Sequence, residues 1–126
     1  MSAWQCAPAQ DEPPTTLCRW HVIRATYSDG VEPCTLHFVG RNAASWCGRV
    51  SSPVMDVDAA ARRARTRSGR LYQLEGPPGI DAESVFMWRL WAEINRLSSW
   101  RDVTAEVFPE FRKAWAPAGT GERFVQ

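Results

Sequence analysis

Residues 76–79 read Gly-Pro-Pro-Gly and separate two different patterns of apolar residues. A strand ladder cannot continue through this run, because its two prolines have no backbone N–H to donate. Before it, residues 54–75 alternate apolar and polar side chains around the tight-turn dipeptide Ser68-Gly69, which predicts three short strands with one apolar face. After it, residues 82–97 carry apolar side chains at helical spacing. The sequence therefore predicts a β-hairpin unit that feeds a helix, and the helix covers the hairpin's apolar face.

The tryptophan-rich helix predicted over residues 82–97 has a recognisable start and a narrow polar side. Asp81 is the expected N-cap, and Glu83 in the first turn complements the helix dipole. The only clear polar stripe consists of Arg89, Glu93 and Arg96. A helix this apolar is expected to be buried on most sides, against the sheet and against the C-terminal segment.

The segments on either side of this unit complete an α+β prediction. Strands are expected at residues 20–28 and 34–40, with a possible short strand near 46–50. A second, shorter helix is expected to start at Asp102 or Thr104. The predicted fold is α+β, with a small antiparallel β-sheet of about four to five strands packed against one long helix and a shorter C-terminal helix.

The length of 126 residues fits a single domain that can bury a sufficient core without metal or disulfides. Residues 1–16 are predicted to be an irregular arm, 17–75 the sheet, 80–115 the helical part and 116–126 a loose tail.

Composition limits the classes of function. The net charge of +1 gives no global attraction to nucleic acid or to a membrane. No apolar run approaches the length of about 20 residues that spans a bilayer, and residues 1–14 lack the pattern of a signal peptide. These features predict a cytoplasmic protein with reduced cysteines, and no cofactor is predicted. Most of the seven tryptophans are expected in the core, with one or two exposed as binding anchors.

Several segments of the chain resemble segments of known small proteins. Residues 48–53, 66–72, 76–79 and 102–104, together with the Trp-bearing helix, resemble small uncharacterised proteins carried by phages and plasmids of Gram-negative bacteria. The resemblance covers residues 36–106. The resemblance implies an accessory protein that acts in the cytoplasm of a bacterial host by binding a host protein. Anti-CRISPR and other anti-defence inhibitors are among such accessory proteins. The partner implied is a host protein such as a CRISPR effector or another defence protein.

The stretch from residue 62 to residue 70 holds five arginines in nine residues. Strand alternation places Arg63, Arg65 and Arg67 on one solvated face. Asp56 and Asp58 share a strand face and are expected to pair with arginines across the hairpin. Arginines beside an aromatic ring are typical of protein–protein hot spots. The predicted partner-binding residues are Arg62, Arg63, Arg65, Arg67, Arg70 and Tyr72.

Two readings of this chain follow from the arginines. The first is a non-enzymatic protein-binding module, in keeping with an inhibitor encoded by a mobile element. The second is a small nucleic-acid-binding protein that uses the same arginines to contact phosphates. The near-zero net charge and the lack of aromatic residues within the run disfavour the second reading.

Two C-x-x-H pairs give a third, zinc-binding alternative. The candidate ligands Cys18, His21, Cys34 and His37 are of the types that hold zinc tetrahedrally. Both pairs lie in predicted strands, where residues three apart point to opposite faces, so no metal site is predicted. No nucleophile motif surrounds the cysteines or serines, and the sequence predicts no catalytic residues.

Overall fold

The computed structural model describes residues 13–28 and 33–115 and the backbone of residues 120–122. Within these ranges the chain forms eight strands, two α-helices and one 3-10 turn at Pro109–Phe111. In chain order the elements are β1 (Thr15–Tyr27), β2 (Thr35–Asn42), β3 (Gly48–Val50), β4 (Val54–Asp58), β5 (Arg63–Thr66), β6 (Leu71–Leu74), α1 (Ala82–Ile94), β7 (Leu97–Asp102), α2 (Thr104–Val107) and β8 (Thr120–Glu122).

The α+β class is confirmed, and the sheet has more strands than the four to five predicted. The strand order is β3-β2-β1-β6-β5-β4, with β7 pairing β1 and β8 pairing β7. The sheet is mixed rather than purely antiparallel, because β1 and β6 run parallel with Leu17 opposite Leu74. The other strand pairs are antiparallel.

The sheet curls so that its two ends come close together. β3 and β4 stand at opposite ends of the strand order, yet only residues 51–53 separate them in the chain. The Ser51 N–H donates to the Phe38 carbonyl of β2 (2.9 Å), and the Pro53 carbonyl accepts from the Arg67 N–H just after β5 (2.7 Å). The curled sheet encloses the main core, formed by Leu17, Trp20, Val22, Phe38, Val54, Ala64, Tyr72, Leu74, Val103 and Phe108.

On the edge of β1 opposite to β2, the middle of the strand is paired by loops instead of strands. β6 pairs with its first residues and β7 with its last, which leaves residues between Leu17 and Ile23 without a strand neighbour on that edge. The Gly79 N–H donates to the Trp20 carbonyl (2.9 Å), and the Val22 N–H donates to Thr104 Oγ1 (2.9 Å). The Gly-Pro-Pro-Gly run and the start of α2 therefore satisfy buried backbone groups that a strand would otherwise satisfy.

Two segments differ from their predictions. The helix predicted over 82–97 ends at Ile94, and Leu97–Asp102 forms β7 within the segment predicted as helical. Arg96 adopts a left-handed φ of 56°, which turns the chain from helix to strand. Thr120–Glu122 forms β8 within the predicted loose tail, opposite residues of β7.

Candidate functional site

The start of α1 is fixed by Asp81, as the sequence predicts. The Asp81 carboxylate accepts hydrogen bonds from the Ser84 N–H (3.0 Å), the Ser84 hydroxyl (3.1 Å) and Arg41 Nε (2.8 Å). Glu83 in the first turn accepts from the Gly48 N–H of β3 (2.7 Å). A Cβ at Gly48 would lie 3.1 Å from the Glu83 carbonyl oxygen and from Ser84 Cα, so the glycine lets β3 approach the helix closely.

Asp81 is charged in the folded protein. Burial raises the pKa of this carboxyl, but hydrogen bonds from the Ser84 backbone, Arg41 and the Ser84 hydroxyl outweigh burial and hold the pKa below its usual range. The helix is thus fastened to β2 through a charged and almost fully buried cap.

One face of α1 covers the outside of the curled sheet. Ser84, Trp88 and Ala92, spaced four residues apart, are its buried residues. The Trp88 ring stacks on Trp91 with centroids 5.3 Å apart and meets the edge of Trp100 at 6.0 Å. A second core forms here from Ile23, Ala25, Val39, Trp88, Ala92 and Leu97.

The opposite face of α1 is apolar and exposed. Phe86, Leu90 and Ile94, also spaced four residues apart, expose 59%, 44% and 77% of their surfaces, and Met87 beside them exposes 38%. We call these four side chains the outer stripe. The prediction that α1 is buried on most sides is wrong, because only the face that carries Ser84, Trp88 and Ala92 is buried. An all-round apolar pattern does not reveal which side of a helix the rest of the chain covers.

A second exposed feature lies beside the N-terminus of α1. Trp46, in the loop between β2 and β3, exposes 47% of its surface, as expected for one or two of the tryptophans. The guanidinium carbons of Arg19 and Arg41 lie 5.2 and 5.3 Å from its ring centroid, within cation–π range. Trp46 and Arg19 both adopt positive φ, 62° and 49°. Side chains rarely tolerate this left-handed backbone, and such strain concentrates at functional sites. We call these three residues the Trp46 corner.

The predicted alternation along the arginine-rich hairpin is confirmed. Arg63, Arg65 and Arg67 are exposed, whereas Ala64 and Thr66 between them are buried. The three arginines therefore share the solvent-facing side of the chain at β5.

The other two hairpin arginines turn back onto the protein. Arg62 lies over the Phe111 ring at 4.7 Å and pairs with Glu110 (3.7 Å). Arg70 donates to Thr15 Oγ1 at 3.2 Å. These two side chains hold the hairpin against the 3-10 turn that follows α2 and against β1, so they contribute less than Arg63 and Arg65 to an outward surface.

The strand register places each of the two hairpin aspartates opposite an arginine. Asp56 lies opposite Arg65, and Asp58 lies opposite Arg63. Arg63 Nε donates to Gln73 Oε1 of β6 (2.6 Å), and Asp58 accepts from the backbone of its own turn. Ion pairing of the two aspartates across the hairpin stays a prediction.

Tyr72 does not belong to the surface. It is only 2% exposed, and its ring lies 6.2 Å from that of Phe38 inside the curled sheet. Its hydroxyl accepts a hydrogen bond from Arg49 Nε (2.9 Å). The prediction that Tyr72 contacts a partner is wrong, because the strand period turns Tyr72 and Leu74 inward.

The candidate zinc ligands are not brought together. Cys18 lies opposite Arg41 at one end of the β1–β2 pair, whereas Thr35, next to Cys34, lies opposite Ala25 at the other end. Within the described residues no three His, Cys, Asp or Glu side chains form a group that could hold a metal ion.

Both histidines are buried as neutral side chains. His37 Nδ1 donates to the Ser51 carbonyl (2.8 Å), which leaves Nε2 to accept from the Thr35 hydroxyl (2.7 Å). Burial lowers the pKa of His37 to about 4, partly offset by the Ser51 hydrogen bond. His21 is 1% exposed and stacks on Trp115, and burial lowers its pKa, with Asp102 acting in the opposite sense.

Comparison with known proteins finds no match: no family model, no curated protein and no solved structure is significantly similar to this chain. Neither helix of the described residues has the length and apolar character needed to cross a membrane. The described residues thus offer three exposed surfaces for a candidate site: the outer stripe, the Trp46 corner and the hairpin arginines.

Proposed function

We propose that the chain is a non-enzymatic protein-binding module that docks through the outer stripe of α1. The observation that carries this proposal is the exposure of four large apolar side chains on one face of a helix whose opposite face is buried. Burying one such side chain contributes about 1.5–3 kcal/mol, so a stripe left in water has much to gain from a partner. Contiguous apolar patches of this kind mark interaction sites.

The spacing of the stripe supports recognition of helix-in-groove type. Phe86, Leu90 and Ile94 lie on successive turns and form one ridge along the helix. Amphipathic helices present side chains at this spacing to an apolar groove or to another helix. The Trp46 corner adjoins the start of α1 through Arg41 and Glu83 (3.3 Å), and it offers an exposed tryptophan with two arginines, the composition of interface hot spots.

Affinity capture with matched variants tests the proposal. Tagged wild-type protein is compared with Leu90→Asp/Ile94→Asp, which places charge on the stripe, and with Arg63→Glu/Arg65→Glu, which reverses charge on the hairpin. We expect a stoichiometric protein partner, including any second copy of the chain, to be held by the wild type and the hairpin variant and lost by the stripe variant. Equal retention by the stripe variant would show that the stripe is not the docking surface.

A finer form of this proposal is an inhibitor of a host defence protein, encoded by a mobile element and acting in the bacterial cytoplasm. It rests on the resemblance carried by the hairpin, the Gly-Pro-Pro-Gly run and the helix. Its test is whether expression of the chain in a Gram-negative host restores plating of a phage that a defined CRISPR system restricts. Unchanged restriction by every defence system tried would count against the inhibitor role and leave the binding role standing.

The exposed face of β5 favours nucleic-acid binding as a second candidate function. Arg63, Arg65 and Arg67 point into solvent on one side, at a spacing that can follow phosphates. The net charge of +1 and the inward turn of Arg62 and Arg70 limit this surface. If this surface binds nucleic acid, the protein should retard DNA or RNA in a gel at low salt. The retardation should fade steeply with added salt and disappear in Arg63→Glu/Arg65→Glu. The absence of retardation at low salt removes this candidate.

A further inference from the structure

We propose that the partner of the outer stripe is a second copy of this chain, docked antiparallel across a two-fold axis near Leu90. The inference rests on the proposed function, since it assumes that the stripe is a contact surface. It adds the identity of the partner and the orientation of the two helices.

The outer stripe is symmetric about its centre. Phe86 and Ile94 lie four residues before and after Leu90. A two-fold axis near Leu90 therefore sets Leu90 against Leu90 of the second copy and Phe86 near the other copy's Ile94. This is the self-complementarity that an isologous interface requires. The ridge belongs to the set of residues four apart, which interdigitate in the commonest class of helix packing.

The two flanks of the stripe select the antiparallel orientation. At 100° per residue, Arg89 and Glu93 lie along one flank, and Met87 and Trp91 lie along the other. An antiparallel copy brings equal flanks together, so the apolar flanks meet and the charged flanks meet. With the two-fold axis midway between positions 89 and 93, one residue from Leu90, Arg89 of each copy lies level with Glu93 of the other, and the two Arg89 side chains are offset by four residues. A parallel copy would set the charged flank against the apolar flank. Glu93 already has an interaction within its own chain, so the intermolecular pair orients the dimer more than it drives it.

The charge and size of the surface set the expected strength. A net charge of +1 produces little repulsion between copies. The face of the 13-residue helix is about 20 Å long and about 10–12 Å wide, well below the ~800 Å² per partner of a standard interface. We therefore expect a dimer that dissociates in the micromolar range and exchanges rapidly.

Sedimentation equilibrium on the full chain tests this inference, with concentrations from about 1 to about 500 μM chosen to bracket micromolar dissociation. We expect the wild type to shift from monomer to dimer over this range. Leu90→Asp is expected to raise the dissociation constant at least a hundredfold. Arg89→Glu and Glu93→Arg are each expected to raise it roughly tenfold, because each single reversal creates two like-charge contacts. The double variant Arg89→Glu/Glu93→Arg recreates both contacts in reverse and should return to near the wild-type constant. Arg65→Glu is the matched surface control and should dimerise as the wild type does.

The outcomes separate this inference from the proposed function. A wild type that stays monomeric throughout overturns the dimer, while stripe-dependent capture of a different protein would leave the proposed function standing. If the double variant dimerises no more tightly than the single variants, the antiparallel arrangement is overturned. Dimerisation that Leu90→Asp leaves unchanged overturns the inference by placing the contact elsewhere on the chain. Circular dichroism of every variant verifies that a lost dimer is not a lost fold.

Discussion

Replacing Asp81 by alanine tests how α1 is fastened to the sheet. The substitution removes the N-cap acceptor of the Ser84 N–H and also the partner of Arg41 Nε. Loss of an N-cap costs about 0.5–2 kcal/mol, and hydrogen bonds to a charged group contribute about 1.5–3 kcal/mol each. Because these effects share one carboxylate and do not add fully, we expect the free energy of unfolding to fall by about 2–3 kcal/mol. For a domain of this size that corresponds to a fall of about 10 °C in the melting temperature.

The assay is urea unfolding followed by circular dichroism and tryptophan fluorescence. Asp56→Ala is the matched control, because Asp56 is an exposed carboxylate in β4, and its removal should change stability by less than about 0.5 kcal/mol. Asp81→Asn keeps a capping oxygen but loses the charge, and it should fall between the wild type and Asp81→Ala. If Asp81→Ala unfolds within about 0.5 kcal/mol of the wild type, the buried cap does not hold the helix.

We expect the difference in stability between the wild type and Asp81→Ala to depend on pH. The pKa of Asp81 is lowered in the folded protein, so its stabilising contribution is complete at neutral pH and is lost as the pH falls through that lowered value. The difference in stability between the wild type and Asp81→Ala should therefore be constant near pH 7 and shrink below about pH 4. A difference that stays the same down to pH 2 would show that the charge of Asp81 contributes nothing.

Three further predictions concern a buried histidine and two glycines. The pKa of His37 is about 4 in the folded protein and about 6.5 in the unfolded chain, so the unfolded chain takes up the proton first as the pH falls. The free energy of unfolding should therefore fall by up to about 3 kcal/mol between pH 6.5 and pH 4. A free energy of unfolding that stays constant over this range in urea unfolding would contradict this. Gly40→Ala would place a Cβ 3.0 Å from the Cys18 carbonyl oxygen and from Trp20 Cα, so it should destabilise the fold by more than about 2 kcal/mol. Gly76→Ala meets no atom within 4 Å but has a φ of 71°, so thermal melts should show a smaller loss of about 1 kcal/mol; equal losses at the two glycines would refute the distinction.

The hairpin and the start of the helix could be predicted because their signals are local. Alternation set the exposure of Arg63, Ala64 and Arg65, and an aspartate before an apolar run marked the N-cap of α1. The Gly-Pro-Pro-Gly run ended the strands as expected, because proline cannot donate to a ladder. These features depend on neighbours within a few residues, which the sequence displays directly.

The elements that sequence reasoning missed depend on distant neighbours. Residues 97–102 fall within the segment predicted as helical, but the chain instead pairs Trp100 with Ala25 across the sheet. The parallel pairing of β1 with β6 joins Leu17 to Leu74 and has no local signature. Long-range pairing overrides local propensity in both places.

The exposure of the predicted site residues could be foreseen only in part, for a related reason. Composition pointed to the hairpin and to Tyr72, but whether a ring is buried depends on the curling of the sheet, which the sequence does not display. The outer stripe was hidden within a helix that is apolar on nearly all sides. The one available signal was the excess of apolar residues over what a single covered face needs, since Ser84, Trp88 and Ala92 are the buried residues of the helix.

The central claim is that α1 uses one face for folding and leaves the opposite face for binding. The most direct measurement is the free energy of unfolding of Leu90→Asp compared with that of Ala92→Asp on the same helix. Leu90 is 44% exposed and Ala92 is 3% exposed. We predict that Leu90→Asp, measured at a concentration where the wild type is monomeric, loses no more than about 1 kcal/mol, while Ala92→Asp loses several kcal/mol or fails to fold. A comparable loss in Leu90→Asp would show that the outer stripe belongs to the core of the monomer and would contradict its role as a docking surface.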